Sequence, residues 1–496
     1  ATGKPVKLIF TKEEHLAAFT MRPASRIKAR VGMKKDGTIT AISGMWLIDT
    51  GYYSMTTQAQ VAVGCGEVQI AVRCPNWDLK PTIVCTNRNA SGIVRGFGGQ
   101  ELKSTLIPIL SLAMEKLGID PFEFLKKNFV KPGDGYFWRD GIWYTYRGVD
   151  FTKAMDQGAE LFGWKDKWKG WLKPTAVDGT KRRGVGVGAH GNADIGEDAS
   201  EAYVRLQPDG TAMLFSCVTE HGTGQRSNYL KMVAEVLQLP MENVSIAPSD
   251  SLINPYEFGP AGSRGTYAIG SAVISAAEDA KQKLFELIAP RLQADPCDLE
   301  TVNGLIFVKN HPEKKIPWRA MGIDRTITGC GRFEPDYSLT NCMMSFVDVE
   351  VDTETGNASL LRVVNTTDVG QIIDPPGLEG QMNGCLGSGG IDSALFEETI
   401  LDRSTGHILN ANMIDYKWRT FTQLPVINNV ALETPFPSHR FHAAGVGEIA
   451  TSPGPAAVLM AVSNAIGVWL HEYPATPEKI LQALGKVKPE KKGSAL

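Results

Sequence analysis

Apolar and polar residues alternate through TITAISGMWLID, and residues 26–49 are predicted to form two strands around the turn Lys35-Asp36-Gly37. The opening ATGKPVKLIF reads as a turn at Thr2-Gly3 followed by another strand. Helical spacing appears in residues 101–117, which end at Gly118, and Pro108 should kink that helix or shift its start. Residues 132–183 are polar and aromatic, and the run KRR at 181–183 closes them. A boundary near residue 180 gives a first domain over 1–180, a second over 181–485 and a basic tail over 486–496. The second part predicts strands at 201–206 and 211–218 joined by PDG, then helices at 225–237 and 270–289, with Pro290 ending the latter. Strands at 345–352 and 358–365 flank DTETG. An apolar helix over 455–470 precedes a short one with Thr476 as N-cap and Pro477 at its first position. Strands and helices alternate without a strict βαβ period, so the expected class is α+β.

Composition adds little beyond glycine. The 496 residues are 43% hydrophobic and 21% charged with a net charge of -3, values that exclude disorder, collagen-like repeats and nucleic-acid-type basicity. Glycine reaches 51 residues, about one in ten against a usual ~7%, and it is used where backbone turns with positive φ or approaches another group closely. Eight scattered cysteines form no C-x-x-C pair and no Cys/His zinc spacing, which points to a reducing, cytoplasmic setting. The N-terminus has no long apolar run, and the stretch 455–470 is interrupted by Ser463 and Asn464, so neither a signal peptide nor a membrane span is expected. The basic tail reads as a solvated, frayed end. The chain starts without Met and as if inside a domain, which suggests a split subunit or a missing upstream portion.

Gly186, Gly188 and Gly191 fit G-x-G-x-x-G, but the following NADIGEDASEAYVRL is polar and then strand-like where a nucleotide fingerprint needs a helix. A glycine-rich strand packed against something bulky is expected instead. Four further clusters carry more chemistry. Residues 92–100 place Arg95 and Phe97 beside bare backbone. Residues 221–225 stand between a strand and a helix, so their amides can point at an anion, and residues 259–266 repeat that arrangement. Residues 445–448 set Glu448 among small residues. Each cluster alone suits a capping turn; together they suggest a large phosphorylated cofactor held by backbone and amide side chains.

VRGFGGQE, EHGTGQ, GPAGSRGT, DPPGLEGQMNGCLGSG and GVGEIATSPGPAAV, in that order, resemble the molybdopterin-binding part of the molybdenum hydroxylases, the xanthine oxidase and aldehyde oxidoreductase family. The likeness extends to the ending PATPEKILQAL. It implies two elongated mixed domains with molybdopterin, plain or as the cytosine dinucleotide, between them. Molybdenum is then held through the pterin dithiolene, with no protein ligand to the metal. By the same resemblance Glu448 matches the glutamate that takes the proton from the metal-bound hydroxide. Arg95 matches the segment passing beside the metal, Gly262 and Ser263 the turn against the cofactor, and Gln381 an amide bonding the pterin. Gly222 and Thr223 match the phosphate-side turn, where many members carry Gln in place of Thr223; the shorter hydroxyl still donates one hydrogen bond. Phe97 matches an aromatic that stacks on substrate, and Ala189, next to His190, falls where purine oxidisers have a second aromatic.

The chemistry so implied is consistent with the residues. A carboxylate in hydrogen-bond reach activates a metal-bound hydroxide if its pKa lies near working pH, and burial raises a glutamate toward that range. Oxygen comes from water, and two electrons leave through iron-sulfur clusters and FAD. The chain has no cysteine pattern for a cluster, so those groups are expected on an iron-sulfur subunit and a flavin subunit of a hetero-oligomer. The family's GGGFGGK-type segment would precede Ala1, and a further chain is expected to carry it. Residues 58–72 contain no arginine, and Val63 falls nearest the position where purine oxidisers have one. Purines are therefore disfavoured relative to a differently shaped aromatic, N-heteroaromatic or aldehyde substrate. Two alternatives stay open: reductive dehydroxylation of an aromatic thioester on the same cofactor, and a non-catalytic subunit with an incomplete cofactor site.

Overall fold

Strands Ser25–Met33 and Ile39–Gly51 pair antiparallel around the expected turn, and Trp77–Cys85 joins the second in parallel. The computed structural model describes residues 2–318, 325–387, 389–402, 404–436 and 440–488. A five-stranded sheet runs in the order Val426–Leu432, Ala358–Asp368, Asn341–Asp352, Lys181–Asn192, Ala176–Asp178. A four-stranded sheet is ordered Val244–Ile246, Ala212–Phe215, Ser200–Leu206, Ile327–Phe333, and a small meander spans Leu299–Val302, Leu305–Val308 and His311–Pro317. Helices pack on these mixed sheets, which makes the fold α+β. One core joins Trp46, Leu106 and Phe151 to Val187 and Phe346 on one face of the five-stranded sheet. A second surrounds helices Gln225–Leu237 and Gly270–Leu292. A third lies between the opposite face of the five-stranded sheet and helix Gly454–Ile466.

The GVGVG segment is the middle of strand Lys181–Asn192, but its neighbour is not bulky. Gly184, Gly186 and Gly188 face helix Gly454–Ile466 so closely that a Cβ on each would land on the carbonyl oxygen of Ala461, Ala457 or Pro453. Alternate strand residues share a face, so the G-x-G-x-G spacing clears a track for helix backbone. Ala457, Ala461 and Ala465 stack at i, i+4 along the facing side. The device recurs: Gly329 and Gly331 of strand Ile327–Phe333 admit helix Gly270–Leu292 at Ala272, Ala276 and Ala280.

Helix Gly99–Leu117 starts before the expected position and runs through Pro108. A proline has no N–H for the carbonyl four residues back, and that carbonyl, Ser104, accepts instead from the Tyr473 hydroxyl at 2.8 Å. Helix Gly270–Leu292 likewise passes Pro290, its last turn closing on Gln293 at φ 52°. Thr476 accepts from Lys479 N and caps Pro477–Ala483 as expected. The strand expected after Thr2-Gly3 does not form: among the described residues no strand pairs with residues 4–10, and Val6, Leu8 and Ile9 are exposed. Thr11 and Glu14 build a capping box there for helix Lys12–Ala18. The basic tail falls mostly outside the described residues, which end at 488. Helices Thr57–Ala71 and Pro375–Asn383 are additions to the expected elements. The first buries Val63, Gly64, Glu67, Val68 and Ile70, hence several faces, and such a helix shows no amphipathic period.

Candidate functional site

Glu448 lies in the loop leading into helix Gly454–Ile466, at the wall of a cavity of about 510 Å³. Two backbone amides hold its carboxylate: Gly96 N–H donates to Oε2 at 3.2 Å and Gly262 N–H to Oε1 at 3.1 Å. Its own N–H donates to Ser263 Oγ at 2.7 Å. Burial pushes the Glu448 pKa above the usual carboxylate value, and the two amides with Arg95 and Arg22 only partly oppose that. The Gly262-Ser263 turn achieves this by taking two consecutive left-handed residues, φ 64° and 61°. Glycine adopts that conformation freely, whereas serine does so at a cost.

Arg95 ties three segments together. Its Nε donates to Gly447 O, and its Nη2 donates to Gln381 Oε1 at 3.0 Å. Gln381 sits on helix Pro375–Asn383, and with its carbonyl oxygen turned to Arg95, its NH2 is the group it can offer a ligand. The Arg95 pKa is drawn down by burial and supported by Cys385 and Glu448. Arg95, Gly222, Thr223, Ser263, Gln381 and Glu448 all line the same cavity. Gly262 reaches it through its bond to Glu448.

The turn at 221–225 behaves differently from the anion cradle expected of it. The N–H groups of Gly222, Thr223 and Gly224 donate to Glu220 Oε1 at 2.8, 2.8 and 3.1 Å, and Arg226 N–H donates to Oε2 at 3.3 Å. The anion in that cradle is the protein's own carboxylate. Partial burial pushes the Glu220 pKa up, but the four amides outweigh it and hold the value below normal. What the turn leaves for a ligand are side-chain atoms: Thr223 Oγ1, Gln225 Oε1 and Asn228 Oδ1 are buried without a hydrogen-bond partner at the cavity wall.

Phe97, Ala189 and His190 do not line this cavity. Phe97 follows Gly96 and is partly buried against the first core. Ala189 and His190 are buried in strand Lys181–Asn192. The His190 ring packs beneath Gly99, with Nδ1 against the Lys103 ammonium and Nε2 3.5 Å from Glu67 Oε2. Burial, reinforced by Lys103, holds the His190 pKa well below its ordinary value, so the ring is neutral at neutral pH.

Two asparagines join the site without having been singled out in the sequence. Asn192 and Asn341 lie opposite each other in the five-stranded sheet. Asn192 Nδ2 donates to Gly262 O at 3.1 Å, and Asn341 Nδ2 donates to Gly445 O. Their only local signal was an amide side chain at the end of an apolar strand. Among the described residues no cluster of three His, Cys, Asp or Glu side chains could hold a metal ion, and no helix is long and apolar enough to cross a membrane.

Residues 1–129 and 157–425 match family models described as the molybdopterin cofactor-binding domain. The chain is 28% identical over 495 residues to a putative xanthine dehydrogenase molybdenum-binding subunit of Escherichia coli K12, covering 97% of this chain and 65% of that protein. It is 27% identical over 518 residues to the nicotine 6-hydroxylase large subunit of Paenarthrobacter nicotinovorans, covering 97% and 62%. Quinoline 2-oxidoreductase from Pseudomonas putida 86 shares the fold with a TM-score of 0.85 at 24% identity, over 96% of this chain and 64% of that one. The chain thus spans less than two-thirds of the length of these proteins.

Proposed function

The chain belongs to the molybdopterin cofactor-binding domain family of molybdenum hydroxylase large subunits, and from that premise we propose that it forms the catalytic part of a hydroxylase or dehydrogenase. The reaction is insertion of water-derived oxygen at an electron-poor carbon of an aromatic, N-heteroaromatic or aldehyde substrate. The observation that carries this reading is Glu448, a carboxylate of raised pKa held by two backbone amides at the wall of the cavity.

The residues fit the cofactor. A cavity of about 510 Å³ is of ligand size, and the unpartnered Thr223 Oγ1, Gln225 Oε1 and Asn228 Oδ1 are polar groups awaiting partners there. Those three, the Gln381 amide and the Gly262-Ser263 turn would hold the pterin. When bound, the group supplies a Lewis-acidic metal that activates water and takes up two electrons. Glu448 acts as the proton acceptor: each oxygen accepts one backbone N–H and retains a lone pair for an incoming proton. Its two amides fix the carboxylate before reaction, so no reorganisation is needed at the moment of transfer. Arg95 holds Gly447 and Gln381 at a set separation, which fixes Glu448 relative to the pterin amide. Phe97, partly buried one residue beyond Gly96 and outside the cavity lining, is assigned to the substrate on the family resemblance alone. Iron-sulfur and FAD groups on partner subunits receive the electrons.

Glu448→Gln in the purified complex tests the assignment, with molybdenum measured alongside turnover. Losing a general base should cost at least about 100-fold in kcat at unchanged metal content; normal turnover at full molybdenum would remove Glu448 from the role. The acid limb of kcat/KM should lie above the ordinary glutamate value of ~4.3, since the base works only when ionised.

A further inference from the structure

One of the two peptide groups that donate to Glu448, Arg95–Gly96, is hydrogen-bonded at both ends. Gly96 N–H is 3.2 Å from Glu448 Oε2. The carbonyl of that same peptide belongs to Arg95, and Arg22 Nη2 donates to it at 2.5 Å. The other arm of the guanidinium, Nη1, donates at 2.6 Å to Oε1 of Glu101, a buried carboxylate in the first turn of helix Gly99–Leu117. Space is reserved for this arrangement: a Cβ on Gly389 would come within 2.5 Å of Arg22 Nη2. The backbone around Arg22 is tied down as well. Met21 N–H donates to Ala90 O, and Gly92 N–H donates to Met21 O, just ahead of the Arg95 loop.

We infer that Arg22 is a positioning residue for Glu448, acting through the Arg95–Gly96 peptide: Glu101 aims the guanidinium, the guanidinium fixes the carbonyl, and the N–H at the other end of the peptide holds the carboxylate. A flip of this peptide would turn its carbonyl toward Glu448 and set oxygen against oxygen. A cation bonded to the carbonyl opposes that flip. It also polarises the amide, and hydrogen bonds in such a chain strengthen one another by roughly 10–30% each. The charge acts through space in the same sense, since Arg95 and Arg22 both favour the ionised form of Glu448. Among the described residues, the charged and titratable groups that act on Glu448 include these two arginines, with Glu101 behind Arg22 and Cys385 behind Arg95; the Gly262 and Ser263 contacts to it are neutral. Arg22 also acts on Glu397, a part-buried acid whose pKa desolvation pushes up.

The kinetic consequence rests on Glu448 being the proton acceptor; the structural consequence does not, and the test separates the two. The purified complex carrying Arg22→Gln with Glu101→Gln, a pair that removes both charges together, is titrated by isotope-edited infrared spectroscopy of its glutamate carboxyls. Subtracting the spectrum of Glu448→Gln isolates the Glu448 band from those of Glu101 and Glu397. The protonated-carboxyl band of Glu448 should persist to higher pH in the double variant than in the parent. Losing one charge-assisted hydrogen bond should lower kcat/KM about tenfold on the acid side, and the deficit should shrink as pH rises. Arg22→Lys, which keeps one cationic donor, should show a smaller displacement and serves if the double variant does not fold. An unmoved Glu448 band in a folded double variant, or a Lys displacement as large as that of Gln, overturns the inference. A displaced band with a flat kinetic profile keeps the relay and removes Glu448 from the proton-transfer role.

Discussion

Replacing Ser263 by alanine and by glycine should give stabilities in the order opposite to the usual preference for alanine. Ser263 Oγ accepts the Glu448 N–H at 2.7 Å, and either replacement leaves that donor unpaired at a cost of about 1–3 kcal/mol. The two then diverge, because Ser263 sits at φ 61°. Alanine keeps the left-handed penalty of about 1–2 kcal/mol, and glycine removes it. Glycine gives back about 0.5–1 kcal/mol through the greater freedom of its unfolded chain. The glycine variant should therefore be more stable than the alanine variant by up to about 1.5 kcal/mol, centred at about 0.75 kcal/mol, with an apparent melting point higher by about 1 °C. Parallel urea and thermal unfolding of parent, Ser263→Ala and Ser263→Gly give the comparison, and turnover should fall in both variants because both free the Glu448 backbone. An alanine variant as stable as the glycine variant, or more so, would show that no left-handed strain is stored at this turn.

Three other perturbations have expected outcomes. Gly186→Ala places a methyl on the Ala457 carbonyl and should destabilise by about 1–3 kcal/mol or more, read as a lowered unfolding midpoint, whereas alanine at the open, exposed, helical Gly380 should be neutral or stabilising. Tyr473→Phe leaves the Ser104 carbonyl without its donor and should cost about 1–2 kcal/mol in urea unfolding; converting Pro108 to alanine in the same background should recover part of that loss by restoring a helical N–H. Glu220 has a lowered pKa in the folded protein, so its contribution is present above the unfolded value of ~4.3 and is lost as pH falls through the folded value. Glu220→Gln should remove that part of the acid-side stability loss, measured as the difference in unfolding midpoint between neutral and acid pH.

Period and punctuation made part of the regular structure legible: the hairpin around Lys35-Asp36-Gly37, the helix Gln225–Leu237 and the Thr476 cap are where local signals put them. The misses have physical causes. Residues 4–10 alternate like a strand, but a strand needs a neighbour to pair with, and the capping box of Thr11 and Glu14 immediately after them was the stronger local signal. Helix Thr57–Ala71 has no amphipathic stripe because several of its faces are buried. At the site, Glu448 and Arg95 sit in glycine-rich clusters that stand out by themselves, whereas Gln381 comes only from the family resemblance. The 220–225 turn hid its own solution, since a carboxylate just before the glycines is a natural cap for the amides that follow. Arg22, Asn192 and Asn341 act over 70 to 104 residues of chain through single hydrogen bonds to backbone, and no local pattern encodes such a contact.

Strand Lys181–Asn192 explains why these distant pieces meet. Its glycines accept the backbone of helix Gly454–Ile466, with Gly188 facing Pro453, shortly after Glu448 in the chain. The height of that helix above the strand therefore sets where the Glu448 loop can lie. At the strand's end, Asn192 bonds the Gly262 carbonyl, and its cross-strand partner Asn341 bonds that of Gly445. One pair of strands thus anchors the turn that donates to Glu448 and the loop that bears it. The glycines that imitate a nucleotide fingerprint bind no nucleotide on this reading; they set the spacing of the site from behind. A methyl at Gly188 should accordingly reach the carboxylate through the helix start, so it should perturb turnover more, for the same loss of stability, than a methyl at Gly184, which faces Ala461 farther along the helix.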